Sequence, residues 1–84
     1  MDKDVLIRMA NSIGDFFEAM PDRDRAIADI ADHIRKFWVP DMRREILDDL
    51  EAGRAKGLSD IVRVALMQYR SKLYPAMAAH EIPS

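Results

Sequence analysis

Pro21, Pro40 and Pro75 divide this chain into short segments, and the segments between them carry a helical period. Proline inside a helix removes a backbone hydrogen bond and clashes with the preceding turn, so each one marks a boundary. Plotted at 100° per residue, Val5, Leu6, Met9, Ile13, Phe16, Phe17 and Met20 fall in an arc of about 120°, which predicts an amphipathic helix from Asp4 to Met20. Ile7 lies off that arc, and Gly14 weakens the helix interior by roughly 1 kcal/mol relative to alanine.

Asp22 is placed to cap a second helix, whose apolar face is Ala26, Ile27, Ile30, Ala31, Ile34, Phe37 and Trp38. Val39 is biased towards extended backbone by the proline after it. Pro40 suits the first turn of a third helix, from Pro40 to Ala52, with Met42, Ile46, Leu47 and Leu50 inward. Gly53 fits the left-handed position that closes it. Ser59 is expected to cap a fourth helix ending near Leu73. No strand-length alternation, internal repeat or low-complexity stretch appears. The expected fold is all-α: a small antiparallel bundle of about four helices, forming one domain over residues 1–75, with a poorly patterned tail at 76–84.

A chain of 84 residues is enough for one such domain. A domain of this size buries only about 60% of the surface its unfolded chain exposes, so its stability margin is thin. With no cysteine, disulfides and thiolate-held clusters are excluded; with only two histidines, so is the usual zinc set. No metal or cofactor site is expected. Association with another chain is the remaining way to extend so small a core. The formal net charge of −2 argues against nucleic acid as a partner. No uncharged stretch is long enough to span a bilayer, and the opening MDKD lacks the apolar run of a secretory signal. The expected location is the cytoplasm.

No catalytic constellation is present. Asp48 and Asp49 are adjacent, so on a helix they point in different directions and read as a solvated face rather than a converging dyad. Asp29 and His33 are four apart, but two ligands do not make a metal site, and His80 has no ligand-spaced neighbour. Gly53 and Gly57 flank a polar link and form no phosphate loop.

Two features suggest contact with a protein. On the fourth helix Leu58, Ile61, Val62, Ala65, Leu66, Tyr69 and Leu73 make one broad face, while Val64, Met67 and Tyr74 make a second apolar stripe. That stripe needs either a partner, which could be a second copy, or burial of the helix on both sides. The segment from His33 to Glu45 gathers Trp38, Arg43 and Arg44 around the proline break. Trp and Arg are enriched at binding hot spots, although Phe37 and Trp38 also read as core anchors and Arg43 as a snorkelling side chain. The candidate partner-binding residues are therefore Trp38, Arg43, Arg44, Val64, Met67 and Tyr74.

The stretches MANSIGDFFEAMP (Met9 to Pro21), IADHIRKFWVPDMRREI (Ile30 to Ile46) and GLSDIVRVAL (Gly57 to Leu66) resemble, in the same order, the delta subunit of the cytoplasmic NAD-dependent, molybdenum-containing formate dehydrogenases. The resemblance implies a small accessory subunit that supports assembly or stability of a large complex. In that complex the catalytic alpha subunit carries the molybdenum–pterin cofactor and iron–sulfur clusters, and the beta subunit carries flavin and the NAD site. The delta subunit binds none of these, has no catalytic residues to carry over, and has the alpha subunit as its expected neighbour. A competing likeness runs through LEAGRAKGLSDIVRVALMQYR, which looks like the C-terminal half of a ribbon-helix-helix repressor or antitoxin. That reading requires a short β-ribbon before Arg43, where the sequence instead has RKFWVPDM.

Overall fold

The computed structural model describes residues 2–75, and most of its helix boundaries have a local cause. The first helix, α1 (Lys3–Glu18), starts where the Asp2 carboxylate accepts from the Asp4 amide at 3.0 Å. Asp22 does the same for α2 (Arg23–Phe37), accepting from the Arg25 amide at 3.2 Å. These side chains satisfy amides that have no partner within the helix. Trp38 and Val39 are extended, and Pro40 opens α3 (Pro40–Glu51) with its fixed φ. Gly53, at φ +76°, takes the left-handed step just after α3. A loop leads to α4 (Asp60–Gln68), and Tyr69 separates it from a single further turn, α5 (Arg70–Leu73). The expected fourth helix is thus two pieces. The expected tail at 76–84 lies outside the described residues.

The helices form a small all-α fold, with no strand among the described residues. α1 packs on α2, α3 and α4; α2 also meets α4 and α5; α3 reaches α5. The fully buried side chains include Leu6, Ile30, Ile34, Ile46, Leu47, Val62, Leu66 and Leu73, so every helix contributes to one core. No helix among the described residues is long and apolar enough to cross a membrane.

α1 does not face the core as its hydrophobic arc predicts. Its buried residues are Leu6, Ile7, Ala10 and Gly14. Ile7, expected off the face, is inside, whereas Phe16 is 74% exposed and Met9 is also at the surface. The cause is the approach of α4. A Cβ placed on Gly14 would lie 2.5 Å from Cγ2 of Val62 and 3.3 Å from Oγ of Ser59. Only a side chain of hydrogen allows that contact, so the small stripe Ala10–Gly14 turns inward and the bulky stripe turns partly out.

The same junction is fixed by a polar clasp. The Asn11 side-chain amide donates to the Gly57 carbonyl at 2.8 Å, and its Oδ1 accepts from the Ser59 amide at 2.8 Å. Gly57 reaches its position at φ +97°. Ser59 precedes α4 as expected, but its hydroxyl makes no cap; Oγ is buried against α1 without a hydrogen-bond partner.

Gly14→Ala should therefore destabilise the chain, even though alanine is the better helix former by roughly 1 kcal/mol. The obstructing atom is a branched methyl on a fully buried valine, and overpacking of that kind costs about 1–3 kcal/mol. In a Val62→Ala background the same substitution should be neutral or stabilising. Urea titration of the four-member cycle checks this; additive effects would show that Val62 is not the obstacle.

Candidate functional site

Once the core is filled, an exposed aromatic surface and two clefts remain. The aromatic surface crosses α1 and α2. Phe16 and Phe17 meet edge to face with centroids 5.0 Å apart; Phe17 lies 6.1 Å from His33, and His33 lies 4.7 Å from Phe37. The result is a continuous ladder of rings with both ends open, since Phe16 is 74% and Phe37 70% exposed. The rotation of α1 supplies one end. Phe37, the last residue of α2, supplies the other. An exposed aromatic cluster on so small a chain makes this the candidate contact surface.

The first cleft is a groove of about 450 Å³ between α3 and the α4–α5 segment. Its floor is the core side chains Leu47 and Leu66, both fully buried; half-buried Leu50 and exposed Met67 stand at its edge, with Glu51, Arg63 and Arg70 beside them. A further cleft of about 620 Å³ between α2 and α5 is lined by Asp29, Asp32, Arg35 and Lys72 around Tyr69 and Leu73.

The sequence-predicted contact residues are spread over these features and the core. Met67 is 62% exposed at the groove, and Val64 is half-buried against the core. Trp38 is 5% exposed, so its indole is an internal anchor with almost no surface to offer. Arg43 donates from Nη1 to the Arg35 carbonyl at 2.8 Å, which satisfies an acceptor in the last turn of α2 across the proline hinge. Arg44 pairs with Asp41 at 2.8 Å. Tyr74 is half-buried, with its hydroxyl donating to Asp48 at 3.0 Å.

The acidic pair of α3 is not the solvated face expected of it. Asp49 is 7% exposed and takes Arg54 through Nε at 3.0 Å and Nη2 at 2.9 Å, while Asp48 receives Tyr74. Both are structural, because partners distant in sequence or across a turn reach back to them. Asp29 pairs with Arg25, and His33 belongs to the ring ladder; no group of three or more potential metal ligands converges among the described residues. The ribbon needed by the repressor reading is not formed, since the residues before Arg43 are the end of α2, the hinge and the start of α3.

The ladder was not singled out from the sequence. Its signal was the pairing of Ala10 and Gly14 four residues apart, which marks a close-approach stripe on the flank away from Phe16.

α5 is tied to α3 by a polar latch: Tyr74 to Asp48, Arg70 to Glu51, and the Arg70 guanidinium 4.9 Å from the centre of the Tyr74 ring. The hydrogen bond to the Asp48 carboxylate, aided by partial desolvation and the Asp48 charge, raises the Tyr74 phenol above its ordinary 10.0; Arg44 and Arg70 oppose the shift.

Compared with known families, residues 5–66 match the family model described as NADH-dependent formate dehydrogenase delta subunit FdsD. No curated protein and no solved structure matches the chain. The matched stretch ends inside α4, so the Tyr74 latch lies beyond it. A raised pKa means that the folded state holds the phenolic proton more tightly. The latch therefore contributes below pH 10.0 and is lost as pH rises through the folded value. Tyr74→Phe should lower Tm at neutral pH, with the difference shrinking in strong alkali. In Asp48→Asn the phenol should ionise earlier in an ultraviolet titration; an unchanged titration would show that the hydroxyl is not on Asp48.

Proposed function

We propose that this chain, which belongs to the NADH-dependent formate dehydrogenase delta subunit family FdsD, is a non-catalytic accessory subunit that supports assembly or stability of the enzyme in the cytoplasm through protein–protein contacts. The observation that carries this reading is the open ring ladder Phe16–Phe17–His33–Phe37. A chain this small has a thin stability margin, yet it leaves two phenylalanines largely in water. Aromatic side chains are the dominant anchors of protein interfaces. The partner proposed for the ladder is the large catalytic alpha subunit. Chemistry resides there, and this chain is proposed to bind neither cofactor nor formate.

Among the described residues the buried carboxylate is Asp49, which Arg54 neutralises, and Asp48 is engaged by Tyr74; both are used within the fold.

Phe16→Ser with Phe37→Ser should leave the isolated chain helical by circular dichroism, because both rings are exposed. Recovery of the alpha subunit with the tagged variant should fall by about tenfold or more, the equivalent of roughly 1.4 kcal/mol. The half-life of formate-dependent NAD reduction in the complex should shorten with it. Undiminished recovery would remove the ladder from the interface.

A further inference from the structure

His33 is the one ring of the aromatic ladder whose charge can change near neutral pH. Its imidazole lies between Phe17, 6.1 Å away and inclined at 63°, and Phe37, 4.7 Å away and inclined at 44°. It is half-buried, and no hydrogen bond or ion pair reaches it among the described residues. The charges of the elements packed around it are engaged with one another or turned away. On α2 itself, Asp29 pairs with Arg25 at 3.6 Å and Asp32 with Lys36 at 3.0 Å. From α1 the neighbour is the Phe17 ring; Asp15 and Glu18 lie about 160° and 100° around the helix axis from it. Lys72 of α5 faces the cleft that Arg35 lines, and Arg35 is about 160° around α2 from His33. Arg70 of α5 is held by Glu51, and Asp60 and Arg63 of α4 gather at the far end of α2 around Arg23. Protonation of His33 therefore puts an unpaired cation in the middle of an apolar patch.

We propose that docking of the alpha subunit on the ladder is linked to the proton on His33: the neutral imidazole is covered, and the imidazolium is excluded. In the free chain the charged form is tolerated, because its open side keeps its water and the flanking rings attract a cation. A partner laid over Phe16 and Phe37 strips that water from the ring between them. Loss of water disfavours the charged form of a histidine, and the carboxylates nearest in sequence, Asp29 and Asp32, already serve Arg25 and Lys36. The docked state thus holds fewer protons than the free state. Affinity should fall as pH drops through the range in which histidine ordinarily titrates, about pH 5–8, and level off above it. The inference rests on the ladder being the docking surface, and it adds how that surface is regulated.

The test captures the alpha subunit on the tagged full chain and measures apparent affinity as a function of pH. For one linked proton the wild-type chain should weaken by up to about tenfold for each pH unit below the titration. His33→Phe, which keeps a ring, and His33→Gln, which keeps a neutral polar group, should both bind without that dependence. Circular dichroism of the free chains should show unchanged helicity across the same range. An equal loss on acidification in wild type and both variants would place the titrating group elsewhere and overturn the proposal. Stronger binding of the wild type in acid would mean that a partner carboxylate meets the imidazolium, which also overturns it. Failure of both variants to bind at neutral pH would show that the imidazole makes an obligatory hydrogen bond, against the desolvation account. If wild-type binding is flat with pH while Phe16→Ser with Phe37→Ser abolishes it, the proton linkage falls and the ladder reading stands. If that double variant binds normally, both fall.

Discussion

The contact between Gly14 and Val62 sets the orientation of everything around it. With no side chain on Gly14, α1 comes close enough to α4 for the valine methyl to occupy the space where a Cβ would be. Asn11, one turn earlier, hydrogen-bonds both sides of the turn that leads into α4. Together these fix the rotation of α1 about its own axis. Ile7 then goes inside, Phe16 goes outside, and the aromatic ladder with α2 follows from that rotation. Interior packing is tight enough that a single hydrogen-for-methyl difference decides which face of a helix is the inner one.

Where the determinant is local, the sequence reads correctly at most boundaries, Ser59 being the exception because its hydroxyl is buried against α1 and makes no cap. Asp22 caps α2, Pro40 opens α3 and Gly53 follows it left-handed, because each effect depends on one residue and its immediate neighbours. The apolar face of α2 is also as periodicity gives it, with Ala26, Ile27, Ile30, Ala31, Ile34 and Trp38 buried. Phe37 is the exception: it shares the angle of that face yet is 70% exposed, while Trp38 after it, in extended backbone, is buried. Periodicity assumes that the helix continues, and this one ends at Phe37.

α1 fails for a different reason. A hydrophobic arc weighs apolarity, so it favours Met9 and Phe16 and discounts Ala10 and Gly14. Close helix packing weighs size, and here size prevails. Asp48 and Asp49 depart from expectation for a third reason, since their partners Tyr74 and Arg54 are brought to them by tertiary structure or by a turn. Of the candidate contact residues, Met67 is the one whose exposure matches the expectation most directly, because its stripe lies opposite the broad apolar face of the same helix.

Magnitudes argue for more than one docking surface. Burying Phe16 and Phe37 against a partner would contribute about 1.5–3 kcal/mol each. Association costs an estimated 4–15 kcal/mol in lost translational and rotational freedom before any side chain is ordered. The ladder alone therefore does not hold a chain of this size on a large complex with useful affinity. On the proposed reading, contacts elsewhere on the chain would have to add to the ladder, and a subunit held at separate places would be fixed in orientation as well as in position.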